Sequence, residues 1–202
     1  MTDFAKNSLL ISGCAIGSEH IIAERYGFRK IYGVEISNVF VSIAKERLSV
    51  NKNMFVDYYD GERLPYDDNF FTTVVSGHII EHTKSPDGYL SEIFRVLSPG
   101  GFLFIEFPNR YHTRELHTGA FSFEWLPSFL RSFILKFLSS SISPLSHEKR
   151  KIYKIIYETL KPISTWQIKN FLQRFDGGKS RIISKQIPAP GFVRLLIKKY
   201  RQ

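Results

Sequence analysis

The chain has 202 residues, 43% of them apolar, and its 28 Lys and Arg against 19 Asp and Glu give a formal charge of +9. That length and apolar content suit one α/β domain with a full core and leave little room for two, and the charge favours anionic partners such as RNA, phosphoglycans or a membrane surface without choosing among them. The lone Cys14 excludes an internal disulfide, no Cys/His cluster has zinc-site spacing, no apolar run reaches the roughly 20 residues of a spanning helix, and the start MTDFAKNS lacks a secretory apolar segment, so a cytoplasmic protein is expected.

Leu9, Leu10 and Ile11 form the short apolar run of a strand buried on both faces, and a small-residue turn follows, Ser12-Gly13-Cys14-Ala15-Ile16-Gly17. Ser18 is placed to cap a helix with Ile21, Ile22 and Tyr26 on its apolar side. A second strand, Lys30 to Glu35, ends on a carboxylate. Small residues let the backbone approach a ligand, a helix start adds positive potential, and a carboxylate about 20 residues on can take ribose hydroxyls, which together read as a half-Rossmann nucleotide site. The third small residue falls at Ser18 rather than at a glycine, so the spacing is not that of a dinucleotide fingerprint.

Ser37 is expected to cap a helix through Asn51 that packs Val41, Ile43, Ala44 and Leu48, and a third strand, Met54 to Tyr59, runs out at Asp60-Gly61. The Thr- and Val-rich stretch Thr72 to Ser76 is the fourth strand. Past its carboxyl end stand Gly77, His78, Glu81 and His82, where an open parallel sheet places its ligand crevice. Ser85-Pro86 starts a helix with Leu90, Ile93, Phe94 and Leu97 along one face, Gly100-Gly101 is expected to end it, and a fifth strand runs from Phe102 to Phe107.

Gly13-x-Ala15-x-Gly17 resembles the first motif of class I S-adenosylmethionine-dependent methyltransferases, and Gly33-Val34-Glu35-Ile36-Ser37 resembles their second. The stretch DGERLPYDDNFFTTVVSGHIIEH, residues 60–82, and the string EIFRVLSPGGFLFIEFPN, residues 92–109, extend the resemblance to the type 11-like subgroup, over roughly residues 8–110. It implies a doubly wound Rossmann-like sheet of seven strands, mostly parallel with an antiparallel C-terminal strand and a helical insert after strand five. It also implies S-adenosyl-L-methionine as cofactor, with Gly13, Cys14, Ala15 and Gly17 beside it, Glu35 and Ile36 at the ribose, Asp60 and Gly61 at the adenine, Ser76 closing the set, and no metal. Only about eight residues precede the first strand, where such enzymes usually carry a covering helix, so the lid is expected from elsewhere or the start has been trimmed. Three positions depart from the pattern: Ile11 replaces an acidic residue, Ala15 the middle glycine and Thr72 an aspartate. Ala15 fits provided its φ is negative.

Methyl transfer from a sulfonium is an in-line displacement, so alignment and exclusion of water matter most, and a base near neutral pKa helps an alcohol or phenol nucleophile. His82 is the first candidate, with His78 and Glu81 beside it; the competing account is that Glu81 caps a turn and His82 packs. His112, Glu115 and His117 follow strand five and could face the same crevice, although solvated loop histidines account for them better than a metal site does.

The chain is read as one domain, 1–202, with a substrate-recognition insert at 110–176. On a helical wheel Leu126 to Ser139 sets Ser128, Arg131, Ser132, Lys136 and Ser139 on one arc and Leu126, Phe129, Leu130, Phe133, Ile134, Phe137 and Leu138 on the other, with Leu135 misplaced. The favoured expectation is that the apolar arc packs on the core; the alternative is an interfacial helix touching a membrane. The run His147-Glu148-Lys149-Arg150-Lys151 to Lys154 is basic, residues 149–161 are expected to be helical, Ser164 to Gln167 reads as a capping box, and Gly177-Gly178 ends that helix. Arg181 to Ile187 and Phe192 to Tyr200 are the last strands, joined by Pro188-Ala189-Pro190-Gly191. No N/D-P-P-Y/F string follows strand four, which moves the expected acceptor toward oxygen on a small molecule, glycan or lipid-linked substrate, with RNA less favoured. The other reading is a non-catalytic binding or scaffold protein on this fold, held to a membrane or polyanion.

Overall fold

All five positions of β1 (Ser8–Ser12) are buried, as an unbroken apolar run demands of a strand covered on both faces. The computed structural model describes residues 3–108, 123, 126–159, 163–186 and 192–200. Four further strands lie parallel to β1: β2 (Lys30–Glu35), β3 (Met54–Tyr58), β4 (Phe71–Gly77) and β5 (Leu97–Pro108). The closing strands β6 (Arg181–Gln186) and β7 (Phe192–Lys198) complete a seven-stranded sheet of order β3-β2-β1-β4-β5-β7-β6, in which β7 alone runs antiparallel to its neighbours. This is the sheet that the motif resemblance implied.

Alternate residues of the strands feed two apolar layers. Leu9, Ile11, Ile31 and Val56 face α1 (Ser18–Arg25) and α2 (Asn38–Leu48), against Ala23, Val41, Ala44 and Leu48. Leu10, Val74, Leu103, Ile105, Leu195 and Ile197 face α3 (Pro86–Val96) and α6 (Thr165–Asp176), against Ile93, Phe94, Phe171 and Leu172. Since α6 lies in this main layer and carries the chain from β5 to β6, the part of 110–176 that stands apart is the pair α4 (Ser128–Ser139) and α5 (His147–Thr159).

Helix ends follow their capping chemistry at most sites. Ser37 accepts from the amide of Phe40, Ser85 from that of Gly88 with Pro86 at the first helical position, and Ser164 with Gln167 closes a full capping box. Helix α3 ends at Val96, before the glycine pair, because the Lys199 ammonium donates to the carbonyls of Phe94 at 2.7 Å and Leu97 at 2.6 Å. Gly100, at φ +84°, bends the start of β5 instead.

Ser18 does not cap α1. Gly17 holds that place at φ +81° without a side-chain bond, and Ser18 Oγ instead accepts from Arg47 Nη1 at 2.9 Å. The expected apolar side of this short helix is also turned: Ile22 and Tyr26 are exposed, while His20 and Ala23 face inward. The cause is Gly33 beneath it, where an added Cβ would lie 2.5 Å from His20 Cε1 and 2.6 Å from Cys14 Sγ, so imidazole and thiol fill the gap left by the missing side chain. In α2, Val41, Ala44 and Leu48 are buried as expected, but Ile43 faces out.

The apolar arc of α4 does not pack on the core. Leu135, the residue the wheel misplaced, is buried against Ile156 of α5, and Arg131 is buried on the same side, while Phe129, Phe133 and Phe137 point outward. The loop carrying His112, Glu115 and His117 and the turn 187–191 lie outside the described residues.

Candidate functional site

At the carboxyl edge of β1, β2 and β3 a cavity of about 390 Å³ is lined by Ser12, Gly13, Val34, Glu35, Ile36, Tyr59, Asp60, Gly61, Ile79, His82, Thr83 and Lys84. Six residues singled out by sequence therefore share one hollow: Gly13, Glu35, Ile36, Asp60, Gly61 and His82.

The turn after β1 is built from left-handed residues. Gly13, Ala15 and Gly17 have φ of +73°, +45° and +81°, so the condition of a negative φ at Ala15 fails and the alanine sits where glycine is favoured. The Glu35 carboxylate holds this turn. Its Oε2 accepts from the amide of Ala15 at 3.1 Å, and its Oε1 from those of Ile36 at 2.9 Å and Ser37 at 3.0 Å. Three of its roughly four acceptor positions are thus taken, leaving one toward the cavity.

Asp60 Oδ1 accepts from the amides of Glu62 at 2.8 Å and Arg63 at 3.0 Å, which holds its carboxyl below the usual range. A Cβ placed on Gly61 would meet nothing within 4 Å, so the backbone there opens on free space. Behind this loop Arg95 acts as a clamp. Its guanidinium donates to both carboxylate oxygens of Glu92 at 2.9 and 2.8 Å, to the carbonyls of Tyr66 at 2.8 Å and Leu64 at 3.0 Å, and to Asp68 at 2.9 Å.

Four expected cofactor residues, Cys14, Ala15, Gly17 and Ser76, do not line the hollow. Cys14 is buried beside Gly33, and burial with the nearby Glu35 pushes its thiol up to about 12, so it stays protonated. Ser76 is buried and shares a hydrogen bond with Tyr89 Oη at 2.7 Å; the same Oη donates at 2.8 Å to Ser12, which does line the hollow. Gly17 turns the chain under Leu48, whose Cδ1 would lie 2.9 Å from an added Cβ.

Of the two Ile side chains that precede the site or lie within its turn, neither lines it. Ile79 does, and its Cδ1 would lie 2.2 Å from a Cβ on Gly13, so any side chain there would displace Ile79 on a backbone whose φ of +73° already favours glycine. The Thr72 departure is absorbed structurally: its hydroxyl accepts from the Ser8 amide at 3.0 Å and donates to the Ser8 carbonyl at 2.9 Å, tying β4 to the start of β1.

His82 lines the hollow, whereas His78 and Glu81 belong to a second polar group turned toward β5 and β7. His78 sits at φ +56°, its Nε2 lies 2.9 Å from Glu106 Oε1, and its Nδ1 lies 3.5 Å from Glu81 Oε1. Arg194 donates to the other oxygen of Glu106, and the Phe192 ring meets the imidazole edge-on at 4.8 Å. Glu81 and then Glu106 raise the His78 pKa. Glu81 is 2% exposed, and its two oxygens are buried without a hydrogen-bond partner of normal length among the described residues. Sequence reasoning missed Glu106, Arg194 and Tyr89. The first two are visible only through strand pairing, in which Glu106 lies opposite Arg194 across β5 and β7. No group of three or more His, Cys, Asp or Glu able to hold a metal occurs among the described residues.

Residues 10–105 match the family model described as Methyltransferase domain. Curated relatives include the ubiquinone/menaquinone biosynthesis C-methyltransferase UbiE of Neisseria meningitidis, 31% identical over 102 residues, with 49% of this chain and 41% of that one covered. Phosphoethanolamine N-methyltransferase 2 of Caenorhabditis elegans is 32% identical over 91 residues, covering 44% of this chain and 21% of the relative. The chain therefore spans less than half the length of the curated relatives it matches. Among solved structures, an S-adenosylmethionine-dependent methyltransferase from Mesorhizobium loti superimposes with a TM-score of 0.69 at 11% identity, over 98% of this chain and 94% of the other. The [4+2]-cyclase SpnF superimposes with a TM-score of 0.65 at 16% identity, over 98% and 77%; at these identities the likeness is one of fold.

The class these findings define is the class I S-adenosylmethionine-dependent methyltransferase. Within it residues 10–105, just under half of this chain, match the type 11-like methyltransferase domain, and the cofactor of such domains is S-adenosyl-L-methionine. The hollow fits that group: a carboxylate with one open acceptor position, a second carboxylate at a glycine that opens on free space, and apolar walls from Val34, Ile36, Tyr59 and Ile79 for a purine.

Proposed function

We propose that this chain methylates an oxygen nucleophile on a small-molecule, glycan or lipid-linked acceptor. The cofactor, when bound, supplies an electrophilic methyl group on a sulfonium. Glu35 and Asp60 hold hydroxyl and amine donors of the nucleoside, and the left-handed turn at Gly13 keeps the backbone close to it.

The observation that carries the reading is the pairing of that hollow with a second polar group on its β5 side. Glu81, buried and short of hydrogen bonds, is the group we assign to take the proton an alcohol or phenol loses on methylation, with His78 holding it in place. Both ring nitrogens of His78 face carboxylates, so the imidazole orients Glu81 better than it accepts a proton itself. His82, on the cofactor side of Ile79, contributes to cofactor binding. The relatives named above carry C- and N-methyltransferase in their titles, and the oxygen assignment is set against both. A cytoplasmic setting accompanies this reading.

Calorimetry with S-adenosyl-L-methionine is the first test, and micromolar binding is expected. An acceptor panel with isotopically labelled methyl donor then follows, with label expected on oxygen. Binding without transfer to any acceptor, or label found only on carbon or nitrogen, would overturn the oxygen assignment. No binding at all would favour the scaffold reading.

A further inference from the structure

We propose that the outward face of α4 docks on the surface of an anionic lipid bilayer. Phe129, Phe133 and Phe137 recur at helical spacing along one side of α4 and are 76%, 71% and 45% exposed, and Ile142 just beyond the helix is 79% exposed. Large apolar side chains are rarely presented to water in a row, and such a row marks an interaction surface.

The opposite side of α4 is already used. Leu135 and Arg131 are buried there, and Leu135 meets Ile156, with Ile152 and Tyr153 of α5 alongside. The stripe is therefore not a core face caught half-packed. It is the side left over once the two helices have paired.

Charge selects the occupant. Leaving out the buried Arg131, residues 126–159 carry five Lys or Arg against two Glu, within a chain of net charge +9. Lys136 adjoins the stripe on α4, and Lys151 and Lys154 lie exposed on α5. Aromatic side chains beside lysines are the pattern of a helix lying in the headgroup plane, where rings enter the acyl boundary and ammonium groups meet lipid phosphates. Among the described residues no helix is long and apolar enough to cross a membrane, so the contact is one of surface. This inference stands whether or not the acceptor is methylated on oxygen.

The test is co-sedimentation of the whole chain with vesicles of phosphatidylcholine alone and of phosphatidylcholine mixed with phosphatidylglycerol, at low and high salt. The wild type is expected to pellet with the mixed vesicles and to be released by salt. The variant carrying F129S, F133S and F137S is expected to lose more than about tenfold in affinity while keeping wild-type affinity for S-adenosyl-L-methionine, which reports that the fold is intact. Should that variant fail to fold, F133S alone is expected to weaken vesicle binding measurably. Unchanged binding by the stripe variants would show attraction by charge alone and overturn the proposal. So would a wild type that ignores both vesicles, or one that is a dimer by light scattering and becomes a monomer when the stripe is removed, since the face would then join two copies of the chain.

Discussion

Glu35 Oε2 accepts the amide hydrogen of Ala15, a residue 20 positions earlier, at 3.1 Å. One carboxylate thus fixes the turn after β1 and offers its remaining acceptor position to the hollow. Glu35→Gln replaces an acceptor by an amide group facing backbone N–H donors. It is expected to cost about 1–3 kcal/mol of stability in urea unfolding and to lower S-adenosyl-L-methionine affinity by roughly tenfold or more in calorimetry.

Ala15→Gly is expected to stabilise. A left-handed alanine costs roughly 1–2 kcal/mol, and glycine gives back about 0.5–1 kcal/mol in unfolded-state entropy. The net gain is up to about 1.5 kcal/mol, read as a higher urea midpoint with unchanged slope. Gly13→Ala is expected to act the other way, since its methyl would fall on Ile79. Ile79 would have to move into the hollow, and cofactor binding would be lost ahead of the fold.

His20 makes stability fall in acid. Burial lowers its pKa below 6.5, so below about pH 6.5 the unfolded chain takes up a proton that the folded chain refuses. Stability then drops by at most about 1.4 kcal/mol per pH unit until the folded value is reached. Urea midpoints at pH 7.5 and 5.5 are expected to separate more for the wild type than for His20→Gln.

His78 works in the opposite sense. Its pKa is raised above 6.5 by Glu81 and Glu106, so the stability it adds is complete below about pH 6.5 and fades as pH rises through the folded value. Glu19 of α1 is within electrostatic reach, and Arg194 and Phe192 of β7 complete the surroundings. The stability difference between wild type and His78→Gln is expected to shrink between pH 6 and pH 9 in denaturant titrations.

Arg95→Lys tests the clamp behind the Asp60–Gly61 loop. A lysine cannot serve Glu92 with two parallel bonds and reach two carbonyls as well. A loss of about 2 kcal/mol is expected, together with weaker cofactor binding, because residues 60–68 lose their tether.

The motif resemblance made the seven-stranded, mostly parallel sheet legible, because the glycine turn, the acid at the end of β2 and the two terminal strands each correspond to a part of one fold. What it did not reveal was orientation. A helical wheel separates Phe129, Phe133 and Phe137 from Arg131 without saying which side meets protein, and in a two-helix pair the answer depends on the partner, Ile156. In α1 the misleading signal was hydrophobicity itself, since Ile22 and the Tyr26 ring offer far more apolar surface than His20 and Ala23. The cue lay in β2, where Gly33 leaves space that only a neighbouring side chain can fill. His78 and Glu81 were found by their place after β4, but their partners on β5 and β7 are distant in sequence.

The position of β7 between β5 and β6 bears on how the chain leaves the ribosome. Until residues 192–198 are made, β5 has no neighbour on its outer side and β6 has none at all. The nascent sheet therefore ends in a bare edge, and a chaperone that shields β5 during translation is expected to raise the yield of correctly assembled protein.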